Sequence, residues 1–439
     1  MGDMSAEAAA RSARRDSSTR AVVMGGIASG LGAYAFTILG ARVLGQHDYA
    51  PVGVLWTLQY LIHTVGLLSL EAYVTRTGRL GRGPWTWIAG LVVGLTTLTA
   101  VFAMPLFGST DPVWPLAAGL IALGFGTHVA ARGLSAADER FTVYGILTGS
   151  ESLLRLAIAV VAMLIAPRAE VLALTLAGGA LVSGAWWVLA GHGPRRLFGP
   201  RRARSHESVI TRQDEVTSLP ADAATAGPSA RPAEPATTAT PFLASTTLAN
   251  AIAQVLLAGG PLVTALLGAD PAVTSMVFVT TTAARAPLVL LYSGLLARVL
   301  PYLQQATHQP SLLWPRIRKV IRYGLVALLP VAGAGFLLGP PLVAIAFGAD
   351  LRPSGAFAGL TAAAVFLACA ALLANQVVIA LDRHVSLSPP WLLALGVAAV
   401  VMLSGAGGDL AMRAALVTIS GLTVAVAGVT TLIVRTVRP

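Results

Sequence analysis

The sequence predicts an all-α integral membrane protein with about twelve transmembrane helices in two sets of six. Composition is the first reason, since 55% of the 439 residues are hydrophobic, only 11% are charged, and the mean hydropathy is +0.74. Soluble domains carry about 25% charged residues. The other two reasons are the lengths of the apolar runs and a repeat that relates the two halves of the chain.

Apolar runs long enough to cross a bilayer follow one another in each half of the chain. In the first half, spans are predicted near residues 21–43, 51–75, 85–108, 113–133, 142–166 and 170–191. In the second half, they are predicted near residues 242–267, 271–298, 321–347, 355–381, 386–405 and 410–435.

Two segments lie outside these runs. Residues 1–20 form a basic, Ala/Ser-rich tail that is expected to be disordered and cytoplasmic. Residues 193–241 are rich in Pro, Ala, Thr, Ser and Arg without apolar periodicity, which is typical of a disordered linker. The predicted division is therefore the tail, an N-terminal lobe over 21–192, a cytoplasmic linker over 193–241, and a C-terminal lobe over 242–439.

Short sequence matches in the same order indicate that the halves arose by duplication. VLGQHDYAPVGVLWT (Val43–Thr57) aligns with LLGADPAVTSMVFVT (Leu266–Thr280), and Leu106–Gly108 corresponds to Ala346–Gly348. Six spans per half leave both halves in the same orientation. The sequence therefore predicts a pseudo-twofold axis along the membrane normal.

Orientation follows from the basic residues. About 24 of the 30 Lys and Arg residues fall on the side of the termini and the linker, which predicts that this side is cytoplasmic. The exceptions are four arginines on short outer loops and two inside spans: Arg42, Arg168, Arg352, Arg413, and Arg155 and Arg285. The single cysteine, Cys369, excludes an intramolecular disulfide.

Arg285 is the first candidate for a functional residue, because it lies well inside the apolar run 281–301. A charge at that depth costs at least ~2.5 kcal/mol and usually faces protein or a watery cavity. Pro287 is expected to kink the helix and is a hinge candidate. Arg285 is predicted to line a polar path for a substrate; alternatively, it binds carbonyls freed by the proline.

The first half contains two further groups of candidate charges. Glu151 and Arg155 are four residues apart on the fifth span, so they are predicted to form an ion pair. The pair is either structural or a gate near the cytoplasmic entrance. Glu71, in the cytoplasmic third of the second span, is either a proton or cation site or a partner of Arg76.

Polar residues at helical spacing mark two other spans. On the second span, Gln59 and His63 lie four residues apart, beside a neighbouring stripe that contains Tyr60, Thr64 and Glu71; polar stripes on membrane helices face inward. His63 by itself is also compatible with a satisfied interior histidine. On the seventh span, Asn250 and Gln254 share a face, either as cavity residues or as partners in interhelical hydrogen bonds, and the hinge candidates Gly259, Gly260 and Pro261 follow them.

Three stretches resemble the multidrug/oligosaccharidyl-lipid/polysaccharide (MOP) superfamily, and most closely its polysaccharide-export branch, the Wzx-type flippases. They are ARVLGQHDYAPVGVLWTLQYL (Ala41–Leu61), ARAPLVLLYSGLLARVLPYL (Ala284–Leu303), and the region from GPPLVAIAFGAD to VVIALDRH (Gly339–His384). The resemblance implies two six-helix lobes around an alternately open cavity, in a bacterial plasma membrane. It also implies transport of a lipid-pyrophosphate-linked glycan, whose anionic head meets cationic cavity residues. The long linker and the single lysine, Lys319, depart from the family pattern.

Three functions remain open from the sequence. The first is a flippase of a lipid-linked oligosaccharide, with the glycan, membrane lipids and glycan-assembly enzymes as partners and with a monomeric chain. The second is a cation-coupled exporter of small amphiphiles, and the third is a membrane glycosyltransferase or polymerase, which would need catalytic residues on a substantial loop. The sequence has no Walker-type loop, metal-ligand spacing or nucleophile elbow, so no enzyme activity, cofactor, metal or nucleic-acid partner is predicted.

Overall fold

Helices make up nearly all of the structure. The computed structural model describes residues 2–78, 80–187, 189, 239–286, 310–381 and 384–437. Within those ranges, nine helices are long and apolar enough to span a membrane, and one bent pair supplies a tenth span. The short apolar helix Ser388–Leu403 and helix 271–286 complete the twelve predicted positions, so the predicted fold class is confirmed.

The described residues of the first half form eight α-helices that correspond to six spans. They are α1 (Gly2–Asp48), α2 (Ala50–Leu61), α3 (Leu68–Thr77), α4 (Arg82–Val101), α5 (Ala103–Phe107), α6 (Val113–Ala137), α7 (Phe141–Ile165) and α8 (Ala169–Trp187). A π-helical turn, Ile62–Leu67, joins α2 to α3 within one span. The prediction of a disordered tail is wrong, because α1 begins at Gly2. The tail is rich in alanine, which has the highest helix propensity.

The described residues of the second half form seven α-helices. They are α9 (Ala239–Ala258), α10 (Gly260–Leu266), α11 (271–286), α12 (Pro310–Phe347), α13 (Gly355–Ala380), α14 (Ser388–Leu403) and α15 (Leu410–Val437). The predicted linker lies outside the described residues except for 239–241, which begin α9. Pro287 also lies outside them.

Backbone geometry supports the duplication. Gly45 and Gly268, which the repeat aligns, both have left-handed backbone, with φ of 75° and 73°. Gly108 and Gly348, at the second pair of matched sites, have φ of 66° and 122°. Because residues with a side chain rarely adopt these angles, glycine is needed at the same points of both halves.

Reciprocal contacts join the two halves at the end of the bundle that is predicted to face away from the cytoplasm, called the outer end below. The end of α1 contacts the end of α12, and α10 in turn contacts α5. Arg42 on α1 donates from Nε to the Ala346 carbonyl at 2.8 Å and from Nη2 to the Ile345 carbonyl. The apolar core around Trp114 is built mostly from the first half but includes Phe278 and Phe347, whereas the core around Trp391 lies within the second half.

Candidate functional site

A chain of polar side chains crosses from the first half to the second. The Tyr60 hydroxyl on α2 donates to Gln254 Oε1 on α9 at 2.9 Å. Gln254 Nε2 donates to Asn250 Oδ1 at 3.4 Å, and Asn250 Nδ2 donates to the Thr64 carbonyl at 3.1 Å. We call these four residues the interlobe bridge. It brings together Asn250 and Gln254, as the sequence suggested, with two residues of the second span.

Arg285 lies beside the interlobe bridge. Its guanidinium carbon is 5.1 Å from the centre of the Tyr60 ring, within the range of a cation–π contact. Its Nε donates to the Thr281 carbonyl of its own helix at 3.2 Å, and its side chain is half-buried. One turn away, the Tyr34 hydroxyl from α1 donates to the Thr282 carbonyl at 3.2 Å. Arg285 is therefore at the interface of the two halves, and one of its donors is engaged by a local carbonyl.

Arg285 differs in its partners from Arg132 and Arg155 of the first half. Arg132 and Arg155 each form an ion pair with a glutamate, at 3.1 and 3.3 Å. Within the described ranges, no carboxylate lies within ion-pair distance of Arg285. An anion that enters the interface would therefore meet a cation without a competing acid from this part of the chain.

Glu151 and Arg155 are sealed inside the first half. Arg155 is 2% exposed, and its guanidinium lies 4.6 Å from the Trp56 ring centre and 5.7 Å from that of Phe36. The Ser152 hydroxyl donates to Glu151 Oε2 at 2.7 Å. This enclosure favours the structural interpretation of the pair over a gate.

Glu71 pairs with Arg132 rather than with Arg76. Arg132 Nη2 and the Tyr144 hydroxyl both lie close to Glu71 Oε1, at 3.1 and 2.9 Å. Residues five apart on a helix point about 140° away from each other, so Arg76 is exposed while Glu71 faces α6. Sequence reasoning missed Arg132 and Tyr144. The available signal was an arginine in the last turn of the predicted fourth span.

Glu71 keeps one unsatisfied oxygen. Its side chain is buried, and Oε2 has no hydrogen-bond partner within the described part of the chain. A buried carboxylate oxygen without a donor is costly unless a proton or a cation reaches it. This feature is compatible with the predicted proton or cation site.

Gln59 and His63 do not join the interlobe bridge. The His63 ring makes an edge contact with Phe125 on α6, with centres 5.8 Å apart, and Gln59 is 7% exposed. The stripe that reaches the second half is instead Tyr60 and Thr64, one residue further along the helix. The second span therefore meets the other half through Tyr60 and Thr64, and whether Gln59 or His63 lines a cavity stays a prediction.

The predicted bend at Gly259 is present. Segments Leu248–Ala258 and Gly260–Leu266 meet at an angle of 67°. A Cβ on Gly259 would lie 2.4 Å from the Val255 carbonyl oxygen, so no larger residue fits this backbone. Pro261 begins α10, where its missing N–H costs nothing. Whether the bend changes during a transport cycle remains a prediction.

The outer end also holds a cavity between the halves. It has a volume of about 490 Å³ and is lined in part by His47 and Asp48 from the first half and by Ala265 and Thr274 from the second. His47 Nδ1 lies 3.7 Å from the Asp270 carboxylate across this boundary. In the described residues, no group of three or more potential metal ligands was found.

Comparisons with known proteins support the fold but do not assign a family. No family model matches the chain. The chain is 27% identical over 394 residues to "Uncharacterized protein Rv3630" of Mycobacterium tuberculosis and to "Uncharacterized protein Mb3654" of Mycobacterium bovis, and each match covers 81% of this chain and 78% of the relative.

Two solved structures are similar over nearly the whole chain. A crystal structure of MATE in the bent conformation superposes with a TM-score of 0.52 at 13% identity, covering 95% of both chains. An outward-facing multidrug resistance MATE family transporter of the MOP superfamily gives a TM-score of 0.49 at 14% identity, covering 95% of this chain and 96% of that one. The first match shows that the chain has the MATE fold.

Proposed function

We propose that this chain flips a lipid-pyrophosphate-linked oligosaccharide from the cytoplasmic to the outer leaflet by alternating access. It would do so in a bacterial plasma membrane with both termini in the cytoplasm. The observation that carries the proposal is Arg285, a half-buried cation at the interface of the halves, with no acidic partner in the described ranges. Arginine suits this role because its planar fork binds phosphate oxygens in pairs and stays charged at any relevant pH.

The surroundings of Arg285 fit an anionic head group carrying a sugar. Tyr60 and Tyr34 bring aromatic rings and hydroxyls to the same interface, and Asn250 and Gln254 bring amides. Such neutral groups form hydrogen bonds with sugar hydroxyls as well as with phosphate. The hydrocarbon part of the substrate would stay in the surrounding lipid.

Alternating access requires that contacts at the outer end break while the helices bend elsewhere. Arg42 and the His47–Asp270 pair hold the outer end together in this structure. The bend at Gly259 lies between the interlobe bridge on α9 and the outer end of the bundle, where α10 contacts α5. We assign the hinge to Gly259, Gly260 and Pro261, and the coupling proton or cation to Glu71.

The proposed function is tested by replacing Arg285 in the purified chain, reconstituted in liposomes. The probe is a fluorescent polyprenyl-pyrophosphate-linked sugar, and a membrane-impermeant reductant reports how much of it lies in the outer leaflet. Each charge-assisted contact contributes about 1.5–3 kcal/mol. Arg285→Ala should therefore slow flipping roughly 10- to 150-fold, and Arg285→Lys should be intermediate because it keeps the charge but loses the planar fork.

The matched control is Arg352→Ala, which removes an exposed arginine beyond the interface. It should flip the probe at the wild-type rate. Normal flipping by Arg285→Ala would refute the proposed role of this residue. Failure of the wild-type chain to flip any polyprenyl-pyrophosphate probe would refute the proposed substrate class.

One observation favours a second candidate function, the cation-coupled export of small amphiphiles. The unsatisfied Oε2 of Glu71 offers a buried acid to a cation or a proton inside the first half. Efflux of a cationic dye from the same liposomes, driven by a pH or sodium gradient and abolished by Glu71→Gln, would support that function. Dye efflux without any flipping of the lipid-linked probe would favour it over the flippase.

A further inference from the structure

The π-helical turn Ile62–Leu67 lies next to the interlobe bridge. The Leu68 N–H bonds to the His63 carbonyl, five residues back, instead of to the Thr64 carbonyl, four residues back. The Thr64 carbonyl thus loses the partner that a continuous α-helix would give it. Such turns are rare, and they occur frequently at functional sites.

Side chains from two other helices hold the carbonyls of this turn. Asn250 Nδ2 from the second half donates to the Thr64 carbonyl at 3.1 Å. Trp87 Nε1 from α4 donates to the Gly66 carbonyl at 3.0 Å. Asn250 therefore gives the Thr64 carbonyl a donor in place of the Leu68 N–H. Any separation of the halves removes Asn250 and leaves that oxygen free to restore the α-helical bond.

Such a restoration would move everything that follows the turn. A π turn accommodates one extra residue, so its conversion to α-helix rotates α3 relative to α2 by about 100° and shifts it by about 1.5 Å. Glu71, in the first turn of α3, now accepts from Arg132 at 3.1 Å and from Tyr144 at 2.9 Å. A rotation of that size would carry its carboxylate away from both partners.

We infer that Asn250 is a positioning residue that couples the separation of the two halves to the release of Glu71 from Arg132, acting through the π-helical turn. The inference rests on the proposed alternating access only in requiring that the halves separate; it does not depend on the substrate. Because the Asn250 hydrogen bond and the Glu71–Arg132 ion pair are linked through the same turn, the coupling is reciprocal. Release of Glu71 favours separation of the halves, and separation of the halves favours release of Glu71.

The test measures exposure of the Glu71 carboxylate in the full-length chain without substrate. The probe is a water-soluble carbodiimide with an amine, and peptide mass spectrometry quantifies modification of Glu71 relative to the exposed Asp111. Loss of one hydrogen bond shifts an equilibrium roughly 2- to 12-fold. Asn250→Leu, and separately Trp87→Phe, should raise Glu71 modification by that factor.

Two further variants separate this coupling from general loosening. Asn375→Leu removes another side-chain amide, one that accepts from Trp391 at 3.1 Å inside the second half, and it should leave Glu71 modification at the wild-type level. Deletion of Val65 removes the extra residue, which yields a continuous α-helix with Glu71 in its present place. This variant should keep Glu71 protected even when combined with Asn250→Leu.

Unchanged modification in Asn250→Leu would overturn the inference, as would an equal rise in Asn375→Leu. Should the deletion variant not fold, the comparison of Asn250→Leu with Asn375→Leu still decides. Because no transported molecule is present, failure of the flippase proposal leaves this result unaffected. Conversely, the wild-type chain could flip the probe while Glu71 modification stays unchanged in Asn250→Leu. That result would leave the proposed function standing and refute only the coupling.

Discussion

Removing one member of the Glu151–Arg155 pair should destabilise the protein far more than removing both. Arg155 is 2% exposed and Glu151 is 5% exposed, with aromatic rings of Trp56 and Phe36 over the guanidinium. In Arg155→Met, the Glu151 carboxylate stays buried with the Ser152 hydroxyl as its donor. An uncompensated buried charge of this kind costs about 3–5 kcal/mol, whereas an apolar pair of similar volume is often neutral.

The measurement is the free energy of unfolding by SDS titration in mixed micelles. Arg155→Met should lose about 3–5 kcal/mol, and the double variant Glu151→Leu/Arg155→Met should lose less than about 1 kcal/mol. If the pair is structural, the double variant also transports normally. The reasoning is refuted if the single variant is as stable as the wild type, or if the double variant is folded but inactive, which would make the pair a gate.

Three further predictions concern the hinge, the outer end and the topology. Gly259→Ala should lower transport and stability, because its Cβ would meet a carbonyl oxygen of its own helix at 2.4 Å; calorimetry and the flipping assay check this. Arg42→Ala removes two hydrogen bonds between the halves and should open the outer end. A thiol reagent added from outside should then label Thr274→Cys, at a cavity-lining position that is 2% exposed, several-fold faster in a Cys369→Ser background, and equal labelling would refute this role of Arg42. A phosphatase inserted within 193–241, active only outside the cell, should be silent, and strong activity would reverse the predicted orientation.

The fold was predictable because its signals are local in the sequence. Bilayer thickness sets the length of each apolar run, so most predicted spans end within a few residues of the observed helices, although α1 and α12 begin much earlier, at Gly2 and Pro310. The match of Val43–Thr57 with Leu266–Thr280 aligned Gly45 with Gly268, and both have left-handed backbone, which glycine accepts readily. The bend at Gly259 was predictable from the sequence for a similar reason, because two adjacent glycines followed by a proline interrupt a helix. The alanine-rich tail was misread because a basic composition was given more weight than helix propensity.

The partners of the candidate residues were not predictable in the same way. Periodicity showed that the second span has a polar side, but not which of two adjacent stripes meets the other half. The π-helical turn inserts one extra residue into the helix, and no feature of the sequence IHTVGL predicts it. For Glu71 the sequence left open a proton or cation site or a pair with the nearby Arg76, whereas helix geometry turns its carboxylate towards Arg132, 61 residues away.

By itself, the sequence determined that the chain spans the membrane about twelve times, that its halves repeat, and that Arg285 lies inside a span. Apolar length, glycine backbone preference and the cost of a buried charge are properties of the local chain, and they hold whatever the neighbours are. Only the tertiary structure decided that Glu71 pairs with Arg132 inside the first half and that Arg285 meets Tyr60 across the interface. Those outcomes depend on how helices distant in the sequence rotate against each other, and a shift of one residue changes the direction of a side chain by about 100°.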